Sequence, residues 1–200
     1  MTRRVHYFVI LLFLISGSAA LVYQICWQRL MFESVGVDID SVTIIVSTFM
    51  LGLGIGSLIG GLLADRYPYR TLEFFAGMEL LTAAFGLLSP VLIHCVSVAI
   101  VNASLPVIVM SNFGLLLLPT MMMGATLPIL VRLTVQLYQN LGESVGILYF
   151  SNTIGAALGA AFTGFFALYR FGLSSTIHMA AGLNIAVALA VWLTLRAHRA

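Results

Sequence analysis

Apolar residues run along this chain in long blocks, and short polar clusters interrupt them. A helix rising about 1.5 Å per residue needs about 20 mostly apolar residues to cross a hydrocarbon core about 30 Å thick. Blocks of that length predict six spans, at about 7–31, 41–64, 72–93, 107–131, 145–168 and 175–195. Asp38 and Asp40 precede the second span, and Asp65-Arg66-Tyr67-Pro68-Tyr69-Arg70 ends it. Asn140-Leu141-Gly142-Glu143 precedes the fifth, and Tyr169-Arg170-Phe171-Gly172 follows it. Segment 91–106 is apolar but broken by Pro90 and Pro106. It reads either as a continuation of the third helix or as a short interfacial piece. The blocks are too long for barrel strands and do not alternate in polarity, so the expected class is all-α.

Composition agrees with a bilayer environment. Hydrophobic residues make up 61% of the chain and charged ones 8%, with a mean hydropathy of +1.09. A soluble domain carries about 25% charged residues. The apolar content excludes disorder. Nine arginines, no lysine and seven acidic residues leave a net charge of +2, too small and scattered for a nucleic-acid surface. Cys26 and Cys95 both lie in apolar runs, which argues against a disulfide framework and favours small apolar roles. His94 and His178 have no Cys or carboxylate at ligand spacing, so neither a metal nor a cofactor is expected.

Arginine placement sets the expected orientation. With the N-terminus inside, Arg3, Arg4, Arg66, Arg70, Arg132, Arg196 and Arg199 all fall on the cytoplasmic side. Arg29 and Arg170 fall outside. Both termini are therefore expected in the cytoplasm, with the chain in the cell (inner) membrane. The alternative of a cleaved signal, from Arg3-Arg4 and Ser18-Ala19-Ala20, is opposed by apolar character that continues through Leu21, Val22 and Ile25 to Trp27.

Several residues stand out against this apolar ground. Gly52, Gly56 and Gly60 recur every four residues in the second span, and Gly155 and Gly159 repeat that spacing in the fifth. Residues four apart share a helix face, and small ones let backbones approach closely. This reads as helix packing within one subunit, or as a subunit interface or rocking surface. Glu79 lies inside the third span, where an ionisable group costs about 2.5–3.5 kcal/mol and needs a cavity or partner. Its two readings are a hydrogen bond to a neighbouring helix and a proton or substrate role. Tyr23 and Trp27 share a face of the first span, beside Gln24, Gln28 and Arg29. They read either as an interfacial aromatic belt or as lining of a central cavity, with Gln24, that holds an amine cation. Glu33, Asp38 and Asp40 would then concentrate cations nearby. Tyr149 and Asn152, three apart, are further cavity candidates. Asn112 and Asn184 read as ties between helices. Pro119 and Pro128 are expected to kink the fourth span.

Three ordered motifs carry a resemblance: Tyr23-Gln24-Ile25-Cys26-Trp27-Gln28-Arg29, Pro119-Thr120-Met121-Met122-Met123-Gly124-Ala125-Thr126-Leu127-Pro128 and Leu148-Tyr149-Phe150-Ser151-Asn152-Thr153-Ile154-Gly155-Ala156-Ala157-Leu158-Gly159. Together, from about Ser16 to about Ala188, they resemble the membrane domain of fused major-facilitator/spermidine-synthase-like proteins. Gln24 stands where that family usually has Glu. The run Gly61-Leu62-Leu63-Ala64-Asp65-Arg66-Tyr67-Pro68-Tyr69-Arg70 is similar to the loop signature of major-facilitator transporters, with Pro68 and Tyr69 in place of a Gly and a basic residue. That fold is built from six-helix halves, each holding two inverted three-helix repeats.

The resemblance implies a six-helix domain like one transporter half. It implies that Asp65, with Arg66 and Arg70 beside it, pairs across to a neighbouring helix as in a cytoplasmic gate, with Arg70 or Arg132 as partner. It also implies a cytosolic aminopropyltransferase, whose catalytic segment is expected to be absent here, so the chain itself is not expected to be an enzyme. Two functions compete. One is a membrane module handling a small solute, a polyamine-like amine among them, as a homodimer. The other is a membrane anchor or regulatory subunit of a separately encoded spermidine synthase-like protein.

Overall fold

The computed structural model describes residues 3–35, 38–138 and 140–197, with side chains over 7–32, 42–135 and 140–195. Its described residues form six long helices and no strand. They are α1 (Arg3–Val35), α2 (Asp38–Arg66), α3 (Thr71–Ile100), α4 (Leu105–Tyr138), α5 (Leu141–Phe171) and α6 (Leu173–Ala197). All six are long and apolar enough to cross a membrane. The longest are α4, with 34 residues, and α1, with 33. The side chains of Glu33, Asp38 and Asp40, expected to concentrate cations, lie outside the described ones.

Pro90 does not end α3. The helix runs on to Ile100, so most of 91–106 continues it, and a turn closed by Ala103 N–H to the Ile100 carbonyl (2.9 Å) leads into α4. Pro119 and Pro128 likewise sit inside an unbroken α4. The alternative, a short interfacial piece, is not formed. Between α2 and α3 the Tyr67–Arg70 turn is held by Arg70 N–H to the Tyr67 carbonyl at 3.0 Å. Asn140 caps α5 by accepting from the Glu143 N–H at 3.1 Å. Gly172, at φ 77°, makes the reversal from α5 to α6, a backbone region that favours glycine. A π turn at Thr163–Ala167 interrupts α5.

The most extensive packing pairs are α2 with α4 and α1 with α5, followed by α3 with α6 and α4. Exchanging α1–α3 with α4–α6 carries the first pair onto the second and α3–α4 onto α6–α1. The neighbour pattern is therefore two-fold. Both large seams are made by glycines. Gly52 meets Thr120 and Met121; Gly56 and Gly60 lie on the Met121 and Ala125 backbones; Gly155 and Gly159 lie on those of Leu14 and Ser18. All five face helices of the same chain, and a side chain at any of them would strike its neighbour.

The interior holds two apolar clusters. One gathers Tyr23, Trp27, Met31, Phe49, Leu116 and Ile177, the other Phe13, Phe75, Ile129, Leu148 and Val191. Between them, along α1, α3 and α6, lie Ser16, Glu79 and Asn184, all buried.

Candidate functional site

Four helices, α1, α2, α4 and α5, line a cavity of about 310 Å³. From α1 come Phe13, Ser16, Ala20, Leu21 and Gln24; from α2, Phe49, Leu53, Gly54 and Ser57. Met123, Gly124, Thr126 and Leu127 of α4 and Tyr149 and Asn152 of α5 complete the wall. No atom of another helix lies within reach of the point where a β-carbon on Gly54 would sit, so this glycine leaves the wall open rather than closing a seam. Gly17 does the opposite: it lets Asn152 lie against α1, where its Nδ2 donates to the Phe13 carbonyl at 3.4 Å. The lining is mostly apolar, with a few neutral polar groups, and carries no formal charge. Such a wall suits a small molecule with an apolar body and one or two hydrogen-bonding groups.

Of the residues singled out in the sequence, Gln24, Tyr149 and Asn152 meet at this wall. Tyr23 and Trp27 do not. Both are fully buried, stacked with ring centroids 5.0 Å apart, and packed behind the wall against α2 and α3. Trp27 Nε1 donates to Ser89 Oγ at 2.8 Å, and Ser89 Oγ donates to the Gly86 carbonyl at 2.8 Å. They form neither an interfacial belt nor a cation-binding surface. The reason is the missing side chain of Gly86, against which the Tyr23 phenol ring lies. Glu79 also stands behind the wall, 1% exposed. Its Oε1 accepts from Ser16 Oγ and its Oε2 from Asn184 Nδ2, each at 2.6 Å. Ser16 therefore belongs both to the cavity lining and to the Glu79 cluster.

A second cavity, of about 370 Å³, shares Ser57 and Leu127 with the first. It continues between α2, α4 and α5 towards the α2–α3 turn and reaches Asp65 and Arg132. There Arg132 Nε stands 3.8 Å from Asp65 Oδ1. Arg70 is not the partner of Asp65: it pairs with Glu73 at 3.7 Å along its own chain segment. Arg66 lies over the Tyr67 ring at 5.8 Å and does not line the groove. Of the three residues expected at a gate, Asp65 alone lines the groove, with Arg132 opposite.

Ser16, Gly54, Ser57 and Thr126 are cavity residues that the reading of the sequence did not assign to a site. Ser16, Ala20 and Gln24 are four residues apart, and that spacing is the signal that places them on one face of α1. No comparable pattern marks Gly54, which sits among glycines that close a seam.

Six membrane-length helices, a two-fold arrangement of three-helix sets and a cavity walled by four of them together describe a transporter-like bundle. No curated protein and no solved structure matches the chain. The model of the Major Facilitator Superfamily matches residues 8–200, and the chain belongs to that superfamily.

Proposed function

We propose that this chain is a transport module that passes a small solute along the groove formed by α1, α2, α4 and α5. The observation that carries the reading is the adjacency of the two cavities. Ser57 and Leu127 line both, which sets the cavity at Gln24 and Asn152 next to the groove that reaches Asp65 and Arg132. Four helices of one chain wall the cavity, and a second copy closing it gives an enclosed route. The arginine distribution supports a mouth that opens to the cytoplasm, with both termini on that side of the inner membrane.

A polyamine-like amine is the first solute to test, because Glu33, Asp38 and Asp40 cluster in the sequence near the opposite end and the three ordered motifs resemble synthase-linked proteins. The uncharged wall favours a neutral amphipathic solute as the second. Purified chain in liposomes is assayed for uptake of labelled di- and polyamines and of neutral amphipathic solutes, with Gly54→Leu as the blocked control. Solute uptake by the native chain that Gly54→Leu abolishes supports the reading. Equal background flux in both overturns it. Co-purification with a soluble aminopropyltransferase in that case favours the membrane-anchor reading.

A further inference from the structure

We propose that Glu79, Ser16 and Asn184 form a proton-binding site that exchanges with the cavity through the Ser16 hydroxyl. The site joins three helices: Ser16 on α1, Glu79 on α3 and Asn184 on α6. It lies between the two apolar clusters, and a charge left there without a counter-ion is costly.

No cation compensates Glu79 among the described side chains, where no arginine or histidine is buried. On α1 the facing polar groups are Ser16 and Tyr23, and Arg29 is exposed. On α6 the facing group is Asn184, and His178 is exposed. The charged residue of α4, Arg132, is engaged with Asp65, while Glu73 of α3 pairs with Arg70.

The hydrogen bonds fit both protonation states. With the carboxylate, the Ser16 hydroxyl and the Asn184 amide each donate to one oxygen. With the acid, the new O–H donates to Ser16 Oγ, and the Ser16 proton turns to a carbonyl of its own helix, a bond serine commonly makes. Asn184 keeps its bond to the other oxygen. Ser16 lines the cavity, so the transfer balances across it. A hydronium ion in the cavity gives one proton to Ser16 Oγ and is left as water, Ser16 passes its own proton to Glu79 Oε1, and release to a water runs the steps backwards. The site rests on the transport reading only for its coupling to a solute.

The test therefore needs no solute. Infrared difference spectra of the purified full chain in lipid are taken across the pH range over which it stays folded. The expected result is a carboxylic-acid C=O band that titrates, is lost in Glu79→Gln and is shifted in Glu79→Asp. Ser16→Ala is expected to slow deuterium exchange at that band. A wild-type spectrum without such a band, or a band unchanged in both Glu79 variants, overturns the proposal. A titrating Glu79 band in a chain that moves no solute leaves the proton site standing and removes the transport reading alone.

Discussion

Asp65 at the end of α2 and Arg132 near the end of α4 face each other at 3.8 Å across one mouth of the groove. Both side chains are substantially exposed, at 75% and 42%. A pair this wet contributes about 0–1 kcal/mol, so its worth lies in geometry rather than stability. Asp65→Asn is expected to leave the melting temperature in detergent nearly unchanged. The same change should speed maleimide labelling of a cysteine placed at Leu127, measured in a Cys95→Ser background. Unchanged labelling would detach the ion pair from access to the groove.

The glycine seams make a sharper stability prediction. A methyl group at Gly56 or Gly155 would strike the backbone of Met121 or Leu14. Gly56→Ala and Gly155→Ala are expected to destabilise by about 1–3 kcal/mol, because the helices must move apart. At Gly77 nothing lies in the way, and Gly77→Ala should be neutral or stabilise by up to about 1 kcal/mol through helix propensity. Unfolding in lipid or mixed micelles separates the two classes. Equal effects at all three positions would contradict close backbone contact.

Trp27 is a test of the buried aromatic core. Trp27→Phe keeps most of the packing against Tyr23, Phe49 and Phe85 but loses the bond to Ser89. The expected loss is about 1 kcal/mol. Trp27→Ala adds a cavity and is expected to cost about 3–5 kcal/mol. If Trp27 held a solute instead, both variants would weaken binding while stability stayed near native.

Gly54 separates folding from function. A β-carbon there meets nothing within 4 Å, and Gly54 lines the cavity, so a larger side chain at this position is expected to occupy cavity space rather than push a helix away. Gly54→Leu is expected to match native thermal stability within about 1 kcal/mol while blocking solute passage. The comparison is a melting curve beside a flux assay on the same preparation.

Orientation is open to a direct measurement. Tyr69 in the α2–α3 turn is 97% exposed, and Ala103 lies in the α3–α4 turn on the other side of the bundle. A cysteine at position 69 is expected to react only with a reagent that has crossed the membrane of intact cells. One at position 103 is expected to react with an impermeant reagent from outside. The reversed pattern would invert the arginine argument.

The lengths of the helices were not legible in the sequence, since α1, α3 and α4 run on past the apolar blocks expected at 7–31, 72–93 and 107–131. Their number and order were, because crossing a bilayer imposes one requirement, enough apolar residues in a row. The faces of those helices were much less so. In water, an apolar stripe marks the core; here both lipid and core are apolar, so that stripe carries little information. Tyr23 and Trp27 illustrate the loss, since burial, an interfacial belt and a cavity wall all ask for the same residues. The Glu79–Asn184 bond joins positions 105 apart, and no local pattern announces it. The glycine spacing was legible as close packing, but which helix it meets follows only from the three-dimensional path.

The two longest helices, of 33 and 34 residues, would each measure about 50 Å along the axis, against an oily layer of about 30 Å. Each must therefore lean or push its ends among the headgroups. Both α1 and α4 contribute to the cavity wall. Longer acyl chains would let the two stand more upright, so the tilt of two helices in the cavity wall is expected to depend on membrane thickness.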